Sequence, residues 1–265
     1  MASPANRPGA SRTAYLIATS ATDDAAFEAL IDLSGVIAGH EETAIIGGHM
    51  VTVLSAAFPA PGLVERRTQD ADAGISVELA STGELHDELI ALGYTAVNGN
   101  RYVKGEAEPQ PIIDLLIPTV NARFREQRAG ARRFDAMPGL SLALNSRLVV
   151  TVALTFQDGT ERIAEVLVPG IEGAILLKAL AWGDRPGAQK DALDLSNLFA
   201  ILEHHDVADL GERWRLDEVV LSGHRLTAAT MLHRLADSWE SRPPTVSVDT
   251  RALVSRIRRR VTDPR

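Results

Sequence analysis

The chain has no cysteine, which excludes disulfides and thiolate metal sites. It has only three lysines against 24 arginines, a bias that points to GC-rich coding and says little about mechanism. No internal repeat is visible, and Met1 to Arg12 is polar and lacks a hydrophobic signal core. Thr43 to Val64 is free of charged residues over a membrane-spanning length. Gly47-Gly48 and two prolines interrupt it, so it reads as strand, helix and loop rather than a span. The expected setting is therefore cytoplasmic, with no membrane partner. A positive balance is also missing: the net charge of −8 argues against strong non-specific nucleic-acid binding by the whole surface. What is present is ordinary. At 265 residues, 45% apolar and 23% charged, the chain can bury a sizeable core.

The most telling feature is the aspartate pair in Arg66-Arg67-Thr68-Gln69-Asp70-Ala71-Asp72-Ala73-Gly74-Ile75. Ile75 to Leu79 is apolar and β-branched enough to predict a strand, and alternation would project Asp70 and Asp72 from one face. Two like charges side by side repel, and without a cation one is pushed towards protonation. A shared divalent metal resolves this, and hard carboxylate oxygens suit Mg²⁺. An isolated Asp-x-Asp is more often two solvated aspartates at a strand start, but this pair has company. In Ile112-Ile113-Asp114-Leu115-Leu116-Ile117, a run bounded by prolines and read as a buried central strand, Asp114 is the lone charge. A structural salt bridge would satisfy it. A third carboxylate beside the first two is also what a two-metal phosphoryl-transfer site requires.

Two further segments bear on a phosphate. After the short apolar strand at Thr43 to Ile46, Gly47-Gly48 leads into a run of helical length. A ligand can approach such glycines closely, and a helix N-terminus favours phosphate, although Gly-Gly also marks ordinary strand-to-helix turns. From Ala174 to Trp182 the chain is apolar all round except for Lys178. The spacing puts Lys178 on a face with Ile171, Ala174, Ile175 and Trp182, either pointing into the domain or snorkelling out.

The remaining pattern predicts helices over Asp23–Ala38 and Thr82–Leu92, the latter closed by Gly93. It predicts a hairpin at Asn98-Gly99 within Tyr94–Lys104 and another at Gln157-Asp158-Gly159-Thr160 between Arg147–Phe156 and Arg162–Val168. Helices follow around Lys178, over Ala188–Leu202 after a break at Gly183 to Gly187, and around Leu216–Leu221 and Leu226–Trp239. Residues 1–12 and the tail after Pro243-Pro244 read as flexible. Arg123, Arg125, Arg128, Arg132 and Arg133 fall in one loop-like stretch, and Arg256, Arg258, Arg259 and Arg260 near the C-terminus; solvated charge runs are the default reading of both. Asp191, Asp194, Leu195 and Leu198 share one helix side, where Asp194 and Lys190 would make an i,i+4 pair. The fold class is thus α/β (α+β): a mixed-sheet core over residues 1–168, then a helical part over 169–265, with a nucleotide-sized cleft expected between them.

Taken in order, Gly47-Gly48, Arg66-x-Thr68-x-Asp70-x-Asp72, Asp114, Lys178, Arg185 and Lys190-Asp191-x-x-Asp194-Leu195 resemble the AbiEii/AbiGii-type nucleotidyltransferase toxins. That family includes the MenT group and belongs to the DNA polymerase β-like nucleotidyltransferase superfamily. The likeness spans roughly residues 24–203. Two departures are the 21 residues between Gly48 and Asp70, with Pro59-Ala60-Pro61-Gly62 as the inserted loop, and a small Ala71 between the aspartates. The resemblance implies transfer of a nucleoside monophosphate from an NTP to an acceptor hydroxyl, with Mg²⁺ or Mn²⁺ on Asp70, Asp72 and Asp114. Asp114 would also accept the acceptor's proton. Lys178, Arg66, Arg185, Thr68, Gly47 and Gly48 would hold the nucleotide, with Asp194 or Asp191 in support. It further implies the tRNA 3′ end as acceptor, in a toxin–antitoxin setting with a cognate antitoxin. An acidic protein acting on RNA needs a local basic track, and Arg125, Arg128 and Arg132, which follow the Asp114 strand directly, are the expected one. A small-molecule acceptor, as in antibiotic adenylylation, and a non-catalytic nucleotide-binding protein are the alternatives.

Overall fold

The computed structural model describes residues 12–119, 123–185, 188–211, 213–241 and 248–264. Most of the expected flexible N-terminus, Pro186-Gly187 at the helix break and Pro243-Pro244 lie outside these.

The aspartate strand is the centre of the architecture. β1 (Arg12–Ile17) leads into α1 (Ala21–Ile37), whose cap Ser20 accepts a hydrogen bond from the Asp23 amide. β2 (Thr43–Ile45), α2 (Gly47–Ala57) and β3 (Asp70–Ile75) follow. Next come α3 (Val77–Thr82), α4 (Glu84–Ala91), β4 (Tyr94–Ala96), β5 (Arg101–Lys104) and β6 (Ile112–Pro118). A hairpin of β7 (Arg125–Ala129) and β8 (Arg132–Met137) precedes α5 (Leu140–Leu144), β9 (Arg147–Thr155) and β10 (Glu161–Pro169). The rest is helical: α6 (Ile171–Asp184), α7 (Gln189–His204), a 3₁₀ turn at Val207–Leu210, α8 (Gly223–Ser241) and α9 (Thr250–Arg260). This is the mixed α/β class expected.

The larger sheet runs β2-β3-β6-β5-β4, with β8 joining β6 and carrying β7. β6 lies parallel to β3 and β8 and antiparallel to β5, so it is the inner strand that its apolar run predicted. A smaller sheet has the order β1-β9-β10. One continuous core joins both sheets and α6, which is buried from Ile171 to Trp182. Among the described residues no helix is long and apolar enough to cross a membrane.

Several sequence expectations are corrected. Ile75 to Leu79 is not the strand: β3 ends at Ile75, because the Ser76 hydroxyl accepts from the Leu79 amide and starts a helix. The aspartates therefore lie within the strand rather than before it. The helix expected over Thr82–Leu92 is α4, which starts at Glu84 because Gly83, with φ +84°, separates it from α3. Leu216–Leu221 is not helical; Leu216 is buried and its carbonyl accepts from the Thr262 amide, while Val219 and Val220 are exposed. The arginine stretch read as a loop is the β7–β8 hairpin, turning at Gly130 with φ +57°. The basic tail is α9, capped by Asp249 and docked by ion pairs: Arg256 to Glu203 at 2.6 Å, Arg258 to Asp237 at 2.5 Å, and Arg259 to Glu203. Arg256, Arg258 and Arg259 therefore neutralise acidic residues of α7 and α8 instead of forming a free charged run.

Candidate active site

Strand register assembles the acidic centre. Asp72 stands directly beside Asp114 in the parallel β3–β6 pairing, and Asp114 faces Arg101 in the antiparallel β6–β5 pairing. Partners in register share a face, so Asp72, Asp114 and Arg101 form a row across three strands, with Asp70 two residues back on the same face. Ligand oxygens of the three carboxylates lie within 4.8 Å of one another. Burial, together with the charges of Asp70 and Asp114, pushes Asp72 up to about 7, against the pull of Lys178 and Arg101.

Close approach explains the diglycine. Gly47 has φ +66°, and a Cβ on it would fall 1.8 Å from Asp72 Oδ2. A Cβ on Gly48 would fall 2.6 Å from Thr68 Oγ1. The N-terminus of α2 thus sits directly against the carboxylates, where its first amides lack intrahelical partners. Thr68 Oγ1 donates to Asp70 Oδ1 at 3.0 Å.

Lys178 points inward and does not snorkel. Its Nζ stands 2.7 Å from Asp194 Oδ2, in the geometry of an ion pair rather than an aligned hydrogen bond, and Asp194 Oδ1 accepts from Arg66 Nε at 3.0 Å. Asp194 is fully buried, so one carboxylate ties the α6 lysine to the arginine before β3. The i,i+4 pair expected between Asp194 and Lys190 gives way to this bridge. Arg185 pairs with buried Asp191 at 3.2 Å. Gly47, Gly48, Arg66, Thr68, Asp70, Asp72, Lys178, Arg185 and Asp191 all line one cavity of about 480 Å³. Lys190 lines it too, and Phe124, Met137, Leu177 and Ala181 add apolar surface.

The three arginines expected to meet RNA are not brought together. Arg125 lines the cavity with Glu126. Arg128 does not line it; its Nε donates to the Gly130 carbonyl at the turn of the hairpin. Arg132 donates to the Gly99 carbonyl at 2.8 Å and stacks over Tyr102.

Arg101 is the residue that the sequence reading missed. Its Nε donates to Asp114 Oδ1 at 2.9 Å and its Nη2 to Oδ2 at 2.5 Å, with Asp70 Oδ2 at 3.7 Å. The available signal was the Asn98-Gly99 hairpin, which sets Arg101 on the strand next to Asp114. The three carboxylates suit a hard divalent cation: the donors are oxygens, they converge, and Asp72 lacks enough positive charge nearby to stay fully ionised. A cation held there competes with Arg101 for the same oxygens. Arg101→Met is therefore expected to raise Mn²⁺ affinity about tenfold, equivalent to about 1.4 kcal/mol of competition. Titration followed by electron paramagnetic resonance checks this; weaker Mn²⁺ binding would instead make Arg101 a support for the ion.

No protein-family model and no curated protein sequence matches the chain. Among solved structures it is similar to an antigenic nucleotidyltransferase-like protein from Paracoccidioides brasiliensis, at 16% identity and a TM-score of 0.48, over 90% of this chain and 94% of that one.

Proposed function

We propose that the chain is a metal-dependent nucleotidyltransferase, moving a nucleoside monophosphate from an NTP to an acceptor hydroxyl. The observation that carries this is the carboxylate row of Asp70, Asp72 and Asp114, facing the glycine-opened N-terminus of α2 with Lys178 on the facing wall. Mg²⁺ or Mn²⁺ held by the three aspartates would neutralise the triphosphate and stabilise charge on the attacking and leaving oxygens. The amides of Gly47 and Gly48 and the Thr68 hydroxyl would contact phosphate oxygens. Lys178, Arg66 and Arg185 would balance phosphate charge, with Asp194 and Asp191 setting their positions. Asp114 would take the proton from the acceptor hydroxyl as its oxygen bonds to the α-phosphorus, the α–β P–O bond breaks and pyrophosphate leaves. The test is incubation with each α-labelled NTP, Mg²⁺ and total tRNA. Label should pass to an acceptor with release of pyrophosphate, and stop in excess EDTA. Transfer that persists in EDTA overturns the reading.

For the acceptor we propose the tRNA 3′ end, in a toxin–antitoxin setting with a cognate antitoxin, on the strength of the family resemblance. Because Arg125 alone of the three expected arginines lines the cavity, Arg125→Ala should weaken tRNA binding and flatten its salt dependence, whereas Arg128→Ala should do neither. Filter binding across a salt series checks both. The separation of the three arginines favours a second reading, a small-molecule acceptor, and label on a small hydroxyl compound but on no RNA would select it.

A further inference from the structure

A second cavity, of about 620 Å³, shares only Arg66 and Thr68 with the first. Its walls are β1 at Tyr15 to Ile17, Phe27 of α1, the segment Leu63 to Thr68, and one face of α2. On that face His49, Thr52, Ser55 and Ala56 follow three-and-four spacing. The lining is mainly apolar, yet it holds two unanswered polar groups. His49 is 2% exposed; its ring is drawn to the Ala26 backbone carbonyl, but in no aligned hydrogen bond, and its other nitrogen has no partner. The Ser55 hydroxyl is likewise buried and unpartnered. Buried polar groups are rarely left so, because each costs the desolvation of a lost hydrogen bond. The Thr52 hydroxyl, by contrast, is committed to the Gly48 and Arg66 carbonyls.

The charged groups in the lining are already matched. Asp23 accepts from the Thr19 amide and hydroxyl and pairs with Arg67, Arg67 also pairs with Glu65, and Arg66 pairs with Asp194. Arg66 is shared with the first cavity; the charges that line this one alone, Asp23, Glu65 and Arg67, leave an ionic ligand no free counter-charge. Burial also lowers His49 to about 4, outweighing the attraction of Asp70 and of the Ala26 carbonyl, so the ring is neutral, with its N–H towards Ala26 and one bare acceptor nitrogen. Tyr15 and Ile17, which line the same cavity, are 74% and 66% exposed, apolar surface that a bound molecule would cover.

We propose that this cavity is a second ligand site, for a neutral and largely apolar small molecule whose head group carries both a donor and an acceptor, as an amide or lactam does, set against His49 and Ser55. The volume lies in the range of small-molecule pockets, which combine apolar walls with a few convergent polar groups. His49 and Ser55 line the pocket from α2 and not along the edge of β1, so the occupant must reach inward rather than lie across the surface.

The test uses 1-naphthamide and benzamide as probes on the full chain. Saturation-transfer NMR should detect binding of 1-naphthamide, and a histidine ring ¹⁵N resonance that is lost in His49→Phe should shift with it. His49→Phe and the cavity-filling Ala56→Leu should each weaken binding at least about tenfold. ATP with Mg²⁺ should not displace the probe. Absence of saturation transfer for both amides up to their solubility limit overturns the proposal. So does affinity that is unchanged in either folded variant, or displacement by ATP with Mg²⁺, which would put the amide in the transfer cavity. Should His49→Phe fail to fold, Ala56→Leu decides alone, since it adds volume to open space at a half-buried position.

Discussion

Asp72→Asn is expected to abolish nucleotidyl transfer, a loss of more than about a thousandfold from removing several kcal/mol of charge stabilisation, while making the metal-free protein harder to melt at about pH 8. The two effects have one cause. In the folded protein Asp72 titrates at about 7, against an ordinary value of 3.8, because burial and the charges of Asp70 and Asp114 oppose its ionisation. The folded state holds the proton more tightly than the unfolded chain, so this group favours folding fully below about pH 4, and that contribution is lost as pH rises through about 7. Asparagine cannot ionise. The melting-temperature gap between variant and wild type should therefore be small at about pH 4, grow across this window and level off above about pH 8. Added Mg²⁺ should narrow it at the upper end, by giving the ionised wild-type carboxylate its partner. Melting curves over a pH series, with and without Mg²⁺, check the sign. A gap that does not vary with pH would show that Asp72 is not the strained carboxylate of the site, and full transfer by the variant would end the metal reading.

The same electrostatics explain why so much of this site was legible in the sequence. Asp114 and Lys178 are costly where periodicity buries them, and Asp70 and Asp72 repel each other on one strand face, so all four already demanded partners. What periodicity cannot supply is which strands become neighbours. Arg101 looks like an ordinary residue after Asn98-Gly99, and only the β5–β6 register brings it onto Asp114. Likewise Asp194 was placed on the correct side of α7, but its partners Lys178 and Arg66 come from distant parts of the chain. Misread elements have local causes of the same kind. β1 escaped notice because its outward residues Tyr15 and Ile17 are as apolar as its inward ones, leaving no alternation to detect. The arginines of α9 read as a solvated run because their acidic partners Glu203 and Asp237 lie on other helices. Ser76 outcompeted the β-branched residues around it, since a single capping hydroxyl ends a strand that propensity would have continued.

Lys178→Met is expected to slow transfer by about two to three orders of magnitude, as for loss of one preorganised charge opposite the transferring phosphate. Keeping the apolar stem should give no rescue relative to Lys178→Ala. A second consequence must be separated from the first. Lys178 contacts Asp194 at 2.7 Å, and Asp194 is fully buried, so either substitution leaves that carboxylate with Arg66 as its remaining partner. Breaking a buried pair from one side costs about 3 kcal/mol, enough to lower the melting temperature visibly and to let Arg66 drift. The double variant Lys178→Met with Asp194→Asn removes the stranded charge while keeping an oxygen that can accept from Arg66. It should regain most of the lost stability and none of the lost rate, with NTP affinity still reduced. Recovery of transfer along with stability would show that Lys178 serves only to neutralise Asp194, and phosphate charge would then have to be met by Arg66, Arg185 and Lys190.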